Sequence, residues 1–201
     1  MASPPNSTPL SFNVPMALTW TRIAMIPLVV GIFYVPDAWF PAHWKNATAC
    51  WLFVLAAITD AFDGYIARRY GMTSRLGAFL DPVADKLMVS AALVVLLSLG
   101  RVAEFVALVI IGREITVSAL REWMAHLGSR AKVAVSALGK FKTIAQMTGL
   151  SLMMFRQDLL GLPIYEIGVA CVVAAAALTL WSMWQYWQAA WPELRGPGPG
   201  P

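Results

Sequence analysis

Asp60, Asp63, Asp81 and Asp85 are four of the eleven acidic residues of this 201-residue chain, and all four lie in or beside strongly apolar stretches. They fall in Asp60-Ala-Phe-Asp63-Gly64-Tyr-Ile-Ala67-Arg68 and in Gly77-Ala-Phe-Leu-Asp81-Pro-Val-Ala-Asp85. An ionised carboxylate at membrane depth is costly, so by default it marks a functional site. Four together need compensating charge, and divalent cations with oxygen ligands supply it. Two such ions about 3.5–4 Å apart clamp a displacement at phosphorus, because they stabilise both the attacking and the leaving oxygen. Four carboxylates balance the charge of two divalent ions. Arg68, one turn beyond Asp63 and Gly64, can then steady a diphosphate.

The spacing places these groups on helices. Residues three and four apart share a helix face, so Asp60, Asp63, Gly64 and Ala67 form one stripe and Gly77, Asp81 and Asp85 another. The small residues leave room for a ligand to approach the backbone. Composition says where such helices reside: 59% of residues are hydrophobic and 13% charged, with mean hydropathy +0.64. Soluble domains carry about a quarter charged residues, so the chain reads as an all-α integral membrane protein. Segments of about 20 apolar residues suffice to cross a bilayer. Six are expected, over 16–36, 46–70, 76–99, 102–124, 138–157 and 162–188. The breaks are marked by Pro36 to Pro41, Tyr70 to Ser74, Leu99-Gly100, Leu127-Gly128 and Gly161-Leu-Pro163. No internal repeat is evident.

With six spans both termini share a side. That side collects Arg68, Arg69, Arg75, Arg121, Arg130, Lys132, Lys140, Lys142 and Arg195, against Lys45, Arg101 and Arg156 on the other. Basic loops stay in the cytoplasm, which puts both termini and the acidic motif there. The net charge of +4 thus forms a basic rim around an acidic pocket. With no soluble basic domain, nucleic-acid binding is not expected. Because the site faces the membrane surface, a lipid-linked diphosphate is the sensible donor. Residues 1–12 read as a disordered arm, 13–190 as a six-helix catalytic domain and 191–201 as a Gly/Pro-rich tail. Residues 1–15 lack Lys and Arg, so no secretory signal is expected. Cys50 and Cys171 lie in apolar runs and read as buried thiols. His43 and His126 read as loop residues without a catalytic role. The nine Trp, including Trp181, Trp184, Trp187 and Trp191, fit an interfacial belt.

The run Asp60-x2-Asp63-Gly64-x2-Ala67-Arg68-x8-Gly77-x3-Asp81-x3-Asp85 matches every position of the signature of the CDP-alcohol phosphotransferases, and the chain resembles that family. Three other stretches resemble its bacterial branch that uses glycerol 3-phosphate. They are Asn13-Val-Pro-Met-Ala-Leu-Thr19-Trp-Thr21-Arg22, Arg113-Glu114-Ile-Thr-Val-Ser-Ala-Leu-Arg121-Glu122, and Gly139-Lys140-Phe-Lys142-Thr143-x2-Gln146-Met147. The resemblance implies a membrane enzyme that joins CDP-diacylglycerol to sn-glycerol 3-phosphate and releases CMP. It implies Asp60, Asp63 and Asp81 as ligands of Mg2+ or Mn2+. Asp85 becomes the general base, close enough to touch a metal as well. Gly64, Ala67 and Gly77 make space for the nucleotide. A homodimer is expected on the same ground.

Each of these residues also has a plainer reading. A lone Asp caps a helix or pairs with Lys86 or Arg68, and Asp81-Pro82 can start a helix. Gly64, Ala67 and Gly77 can be ordinary small-residue helix packing. Arg113, Arg121, Lys140 and Lys142 are candidates for the acceptor's phosphate, which needs concentrated positive charge. The last three also fit anionic lipid head groups, and Arg113, inside a span, can simply pair with Glu114 or a motif carboxylate. Thr19 and Thr21 can donate to the donor's diphosphate or satisfy their own helix. Other functions stay open on the residues alone: another acceptor such as inositol phosphate or serine, an intramembrane prenyltransferase, or an ion transporter. The prenyltransferase would carry its acidic motifs on distant spans, and the transporter would need no Gly64, Ala67 and Gly77 spacers.

Overall fold

Six long α-helices account for nearly all of the described chain: α1 Val14–Gly31, α2 Ala42–Tyr70, α3 Arg75–Ser98, α4 Glu104–His126, α5 Ala137–Phe155 and α6 Ile164–Leu194. This computed structural model describes residues 14–70, 75–126 and 137–194. Among them there is no β-strand beyond a single bridge between Leu159 and Leu162. The arm at 1–12 and the loops at 71–74 and 127–136 lie outside the described residues.

The helices end where local chemistry makes them end. At the close of α3, Gly100 adopts φ 65°, and Arg101 N–H donates to the Leu96 carbonyl at 2.8 Å. Gly100 N–H donates to Leu97 at 2.9 Å. These are the two bonds of a Schellman close, and glycine is the residue that takes the left-handed turn without strain. Three expectations need correction. Pro82 lies well inside α3, so Asp81-Pro82 does not start a helix; instead it deletes one N–H beside Asp81. His43 sits in the first turn of α2 and His126 closes α4. Helix α6 runs through Trp191 to Leu194, past the tail boundary at 191, where the Trp187 and Trp191 rings meet at 5.7 Å one turn apart.

Packing is organised by α1 and α5. Helix α1 lies against both α2 and α3, which barely touch each other, and α5 packs on α6 and α2. The α5–α6 seam is close because Gly149 and Gly168 face each other. A Cβ at Gly149 would lie 2.9 Å from the Gly168 carbonyl oxygen and 2.8 Å from Val172 Cγ2. Phe53, Met88, Leu93, Leu96, Ile110, Leu150, Met153 and Val172 form one core. The outer face is also apolar, with Leu28, Leu55, Leu87, Val94, Leu108 and Ile144 all exposed, a surface suited to lipid and not to water. By length and composition, Met16–Tyr34 and Ile164–Gln185 are apolar enough to cross a membrane. The other helices carry charges within them, the candidate site residues Asp60, Asp81, Asp85, Arg113 and Lys142 among them. Cys50 and Cys171 are free thiols.

Candidate active site

Thr19 and Arg22 lie one turn apart on α1, so they share a face, and that face points into the wedge between α2 and α3. Arg22 is only 1% exposed. A guanidinium so far from water needs an anion, and Arg22 Nη1 lies 2.5 Å from Asp60 Oδ1 on α2. Thr19 Oγ1 donates to Asp81 Oδ1 on α3 at 2.5 Å. One helix thus holds a carboxylate on each of two neighbours that scarcely meet. The Asp60 side chain remains 44% exposed, so its pairing leaves it open to a ligand.

What it opens onto is a cavity of about 310 Å³ whose wall includes Arg22, Asp60, Ala57, Ala61 and Asp85, with Thr143 and Thr148 of α5 opposite. The carboxylates of Asp60 and Asp85 therefore share one cavity although they come from different helices. The donor chemistry of Asp60, Asp81 and Asp85 is hard carboxylate oxygen, which fits a divalent cation of the Mg2+ type and not a soft metal. Among the described residues, which leave out the Asp63 side chain, no three His, Cys, Asp or Glu side chains are grouped so as to hold a metal ion.

A second polar cluster joins α4, α5 and α6. Glu114 Oε1 accepts from Arg113 Nη1 at 2.8 Å and from Lys142 Nζ at 3.0 Å. Arg113 Nη2 reaches Ser182 Oγ on α6 at 3.5 Å. Arg113 and Lys142 are 9% and 5% exposed, so Glu114 is what allows both to be charged away from water.

The structure thus brings together Asp60 and Asp85, holds Asp81 from α1, and groups Arg113 with Lys142. Gly77 is buried. Thr21 is turned away: it is exposed, and its hydroxyl donates to the Ala17 carbonyl of its own helix at 2.9 Å. Asp63, Gly64, Ala67 and Arg68 have their backbones in α2, Arg121 in α4 and Lys140 in α5, but their side chains lie outside what is described. Two participants were not singled out from the sequence as site residues, Arg22 and Glu114. The signal was present in both cases, since an ionisable group inside an apolar span has a partner worth naming.

The profile of the family described as CDP-alcohol phosphatidyltransferase matches residues 12–184. A protein of Pectobacterium atrosepticum named CDP-diacylglycerol–glycerol-3-phosphate 3-phosphatidyltransferase is 47% identical over 196 residues, covering 94% of this chain and all of the relative. Proteins of the same name from Sodalis glossinidius and Salmonella choleraesuis are 47% and 46% identical, each over 92% of this chain and 98% of their own length.

Proposed function

The chain belongs to the CDP-alcohol phosphatidyltransferase family, and from that premise we propose how its site works. The reaction is transfer of the phosphatidyl group of CDP-diacylglycerol to sn-glycerol 3-phosphate, giving phosphatidylglycerophosphate and CMP. The observation that carries the mechanism is the shared cavity of Asp60 and Asp85, with the acidic signature intact. Asp85 takes the proton of the acceptor hydroxyl as its oxygen attacks the phosphatidyl phosphorus. The bond from that phosphorus to the CMP oxygen breaks, and CMP leaves. A base placed this way contributes about 10²–10⁴-fold.

Divalent cations belong with this donor set. We read the site as holding two, Mg2+ or Mn2+, bound by Asp60, Asp63 and Asp81 with Asp85 at the edge, and they supply charge neutralisation at the diphosphate. Thr19 acts on Asp81, fixing its carboxylate, and Arg22 does the same for Asp60. Gly64, Ala67 and Gly77 leave room for the nucleotide, and Arg68 steadies the diphosphate. Arg113, Arg121, Lys140 and Lys142 receive the acceptor's phosphate. The single helical domain from α1 to α6 carries all of this.

The six helices together span the bacterial inner membrane, with both termini and the site on the cytoplasmic side. The apolar outer face and the nine-to-three division of basic residues support this orientation. A homodimer is the expected assembly. Expression in bacteria depleted of their own phosphatidylglycerophosphate synthase tests the reading. The chain restores phosphatidylglycerol and its Asp85→Asn variant does not. Failure of the intact, membrane-inserted chain to restore it would contradict the assignment.

A further inference from the structure

At the end of the bundle opposite the acidic motif, Arg101 is a buried cation held by neutral groups. Asp85 and Ser98 are separated by about 20 Å along α3, and Arg101 follows just past that end. It is 7% exposed. Its Nη2 donates to Asn46 Oδ1 of α2 at 2.8 Å. Its Nη1 donates to the Met154 carbonyl at 3.1 Å, in the last turn of α5, and more weakly to the Met153 carbonyl at 3.5 Å. Such helix-end carbonyls offer only partial negative charge. Arg101 Nε is buried with no hydrogen-bond partner. Among the described residues no carboxylate forms an ion pair with Arg101. A second cation, Arg156, lies over the Tyr165 ring at 5.7 Å, and the Tyr165 hydroxyl donates to the Arg101 carbonyl at 2.8 Å. A buried guanidinium without counter-charge is costly, so this end of the fold is short of an anion.

Arg101 and Tyr165 lie on the wall of a cavity of about 480 Å³. The rest of the wall is largely apolar, with Val106 of α4 and Val169 and Val173 of α6. Val173 is 50% exposed, so the apolar wall continues onto the outer face of the bundle. Glu104 also borders the cavity, but it is exposed and forms no ion pair with Arg101. A cation at one end of an apolar cleft between helices suits an amphiphile with an anionic head. A free phosphate would leave the valine wall unfilled. We propose that this cavity binds an anionic phospholipid of the leaflet away from the acidic motif, with its phosphate at Arg101 and an acyl chain along Val106, Val169 and Val173. Basic pockets between membrane helices hold anionic head groups by the same physics. The lipid supplies the counter-charge that Arg101 lacks and steadies the junction of α2, α5 and α6. This rests on the bundle lying in a bilayer, and not on the reaction assigned to it.

Thermal melts of the delipidated protein in neutral detergent, titrated with lipid, test this. The probes are phosphatidylglycerol, zwitterionic phosphatidylethanolamine, diacylglycerol and inorganic phosphate. Phosphatidylglycerol raises the melting temperature of the intact protein at concentrations about tenfold or more below those the other lipids need, and inorganic phosphate does nothing. Val173→Trp narrows the cleft and leaves Arg101 in place; Arg101→Gln removes the charge. Each variant loses the preference for phosphatidylglycerol. An equal response to phosphatidylethanolamine, or a matching response to inorganic phosphate, overturns the proposal. So does a preference that survives in either variant, since the lipid then binds elsewhere. Should Arg101→Gln not fold, because Arg101 also clamps α5, Val173→Trp decides. Preference lost supports the lipid site, and preference kept makes Arg101 a structural clamp only. CMP release from CDP-diacylglycerol, measured on the same preparations, reports the reaction separately, so failure of the lipid site and failure of the assigned reaction are told apart.

Discussion

Arg22 Nη1 of α1 lies 2.5 Å from Asp60 Oδ1 of α2, and this ion pair ties the first helix to the acidic motif at the edge of the cavity. With the Thr19–Asp81 bond it makes α1 the spine on which the two acidic helices are registered. Arg22→Met should therefore reduce turnover strongly, because Asp60 loses the group that aims it. The effect on stability should be smaller, since Met removes the buried charge outright while Asp60, 44% exposed, stays hydrated. Thr19→Val should cost about 1 kcal/mol and a fraction of the activity. Thermal melts beside CMP-release rates separate the two effects. Loss of stability with unimpaired turnover of the folded fraction would contradict an orienting role.

Asp60→Asn, Asp63→Asn and Asp81→Asn should each nearly abolish turnover, because each removes a ligand charge from the divalent site. A chelator should do the same to the intact protein, with recovery on adding Mg2+ or Mn2+. Full activity in excess chelator would rule out the metal-assisted displacement.

Asp85→Asn should leave CDP-diacylglycerol binding intact and lower turnover by about 10²–10⁴-fold. The residual rate should climb with pH as hydroxide partly replaces the lost base. Donor binding that collapses together with turnover would instead make Asp85 chiefly a ligand.

The Gly149–Gly168 contact sets the spacing of α5 and α6, and through α5 the position of Thr143 and Thr148 on the cavity wall. Gly149→Val should push the helices apart, at about 1–3 kcal/mol for overpacking, and lower the melting temperature. An unchanged melting temperature would mean that the seam relaxes freely.

Much of this was legible in the sequence, and the reasons are specific. The six helices fall close to the expected spans because apolar run length and breakers such as Gly100 act locally. Three- and four-residue spacing put Asp60 on one helix stripe and Asp81 with Asp85 on another, while the expectation that the two stripes serve one site came from their charge and from the family signature. The α1 contacts were not legible, since Arg22 reaches Asp60 only through the way α1 wedges between α2 and α3, a tertiary fact. The same holds for Glu114, whose bond to Lys142 joins α4 to α5. Thr19 and Thr21 looked equivalent in sequence, but two residues of helical rotation send one to Asp81 and the other back to Ala17.

The most direct test of the central claim is CMP release by the purified protein given CDP-diacylglycerol, Mg2+ and one acceptor at a time: sn-glycerol 3-phosphate, glycerol, serine, inositol or inositol phosphate. The account predicts rapid release with sn-glycerol 3-phosphate, phosphatidylglycerophosphate as the lipid product, and little release with the others. Preferential release with another alcohol would contradict the acceptor assignment, and no release with any acceptor would contradict the reaction itself.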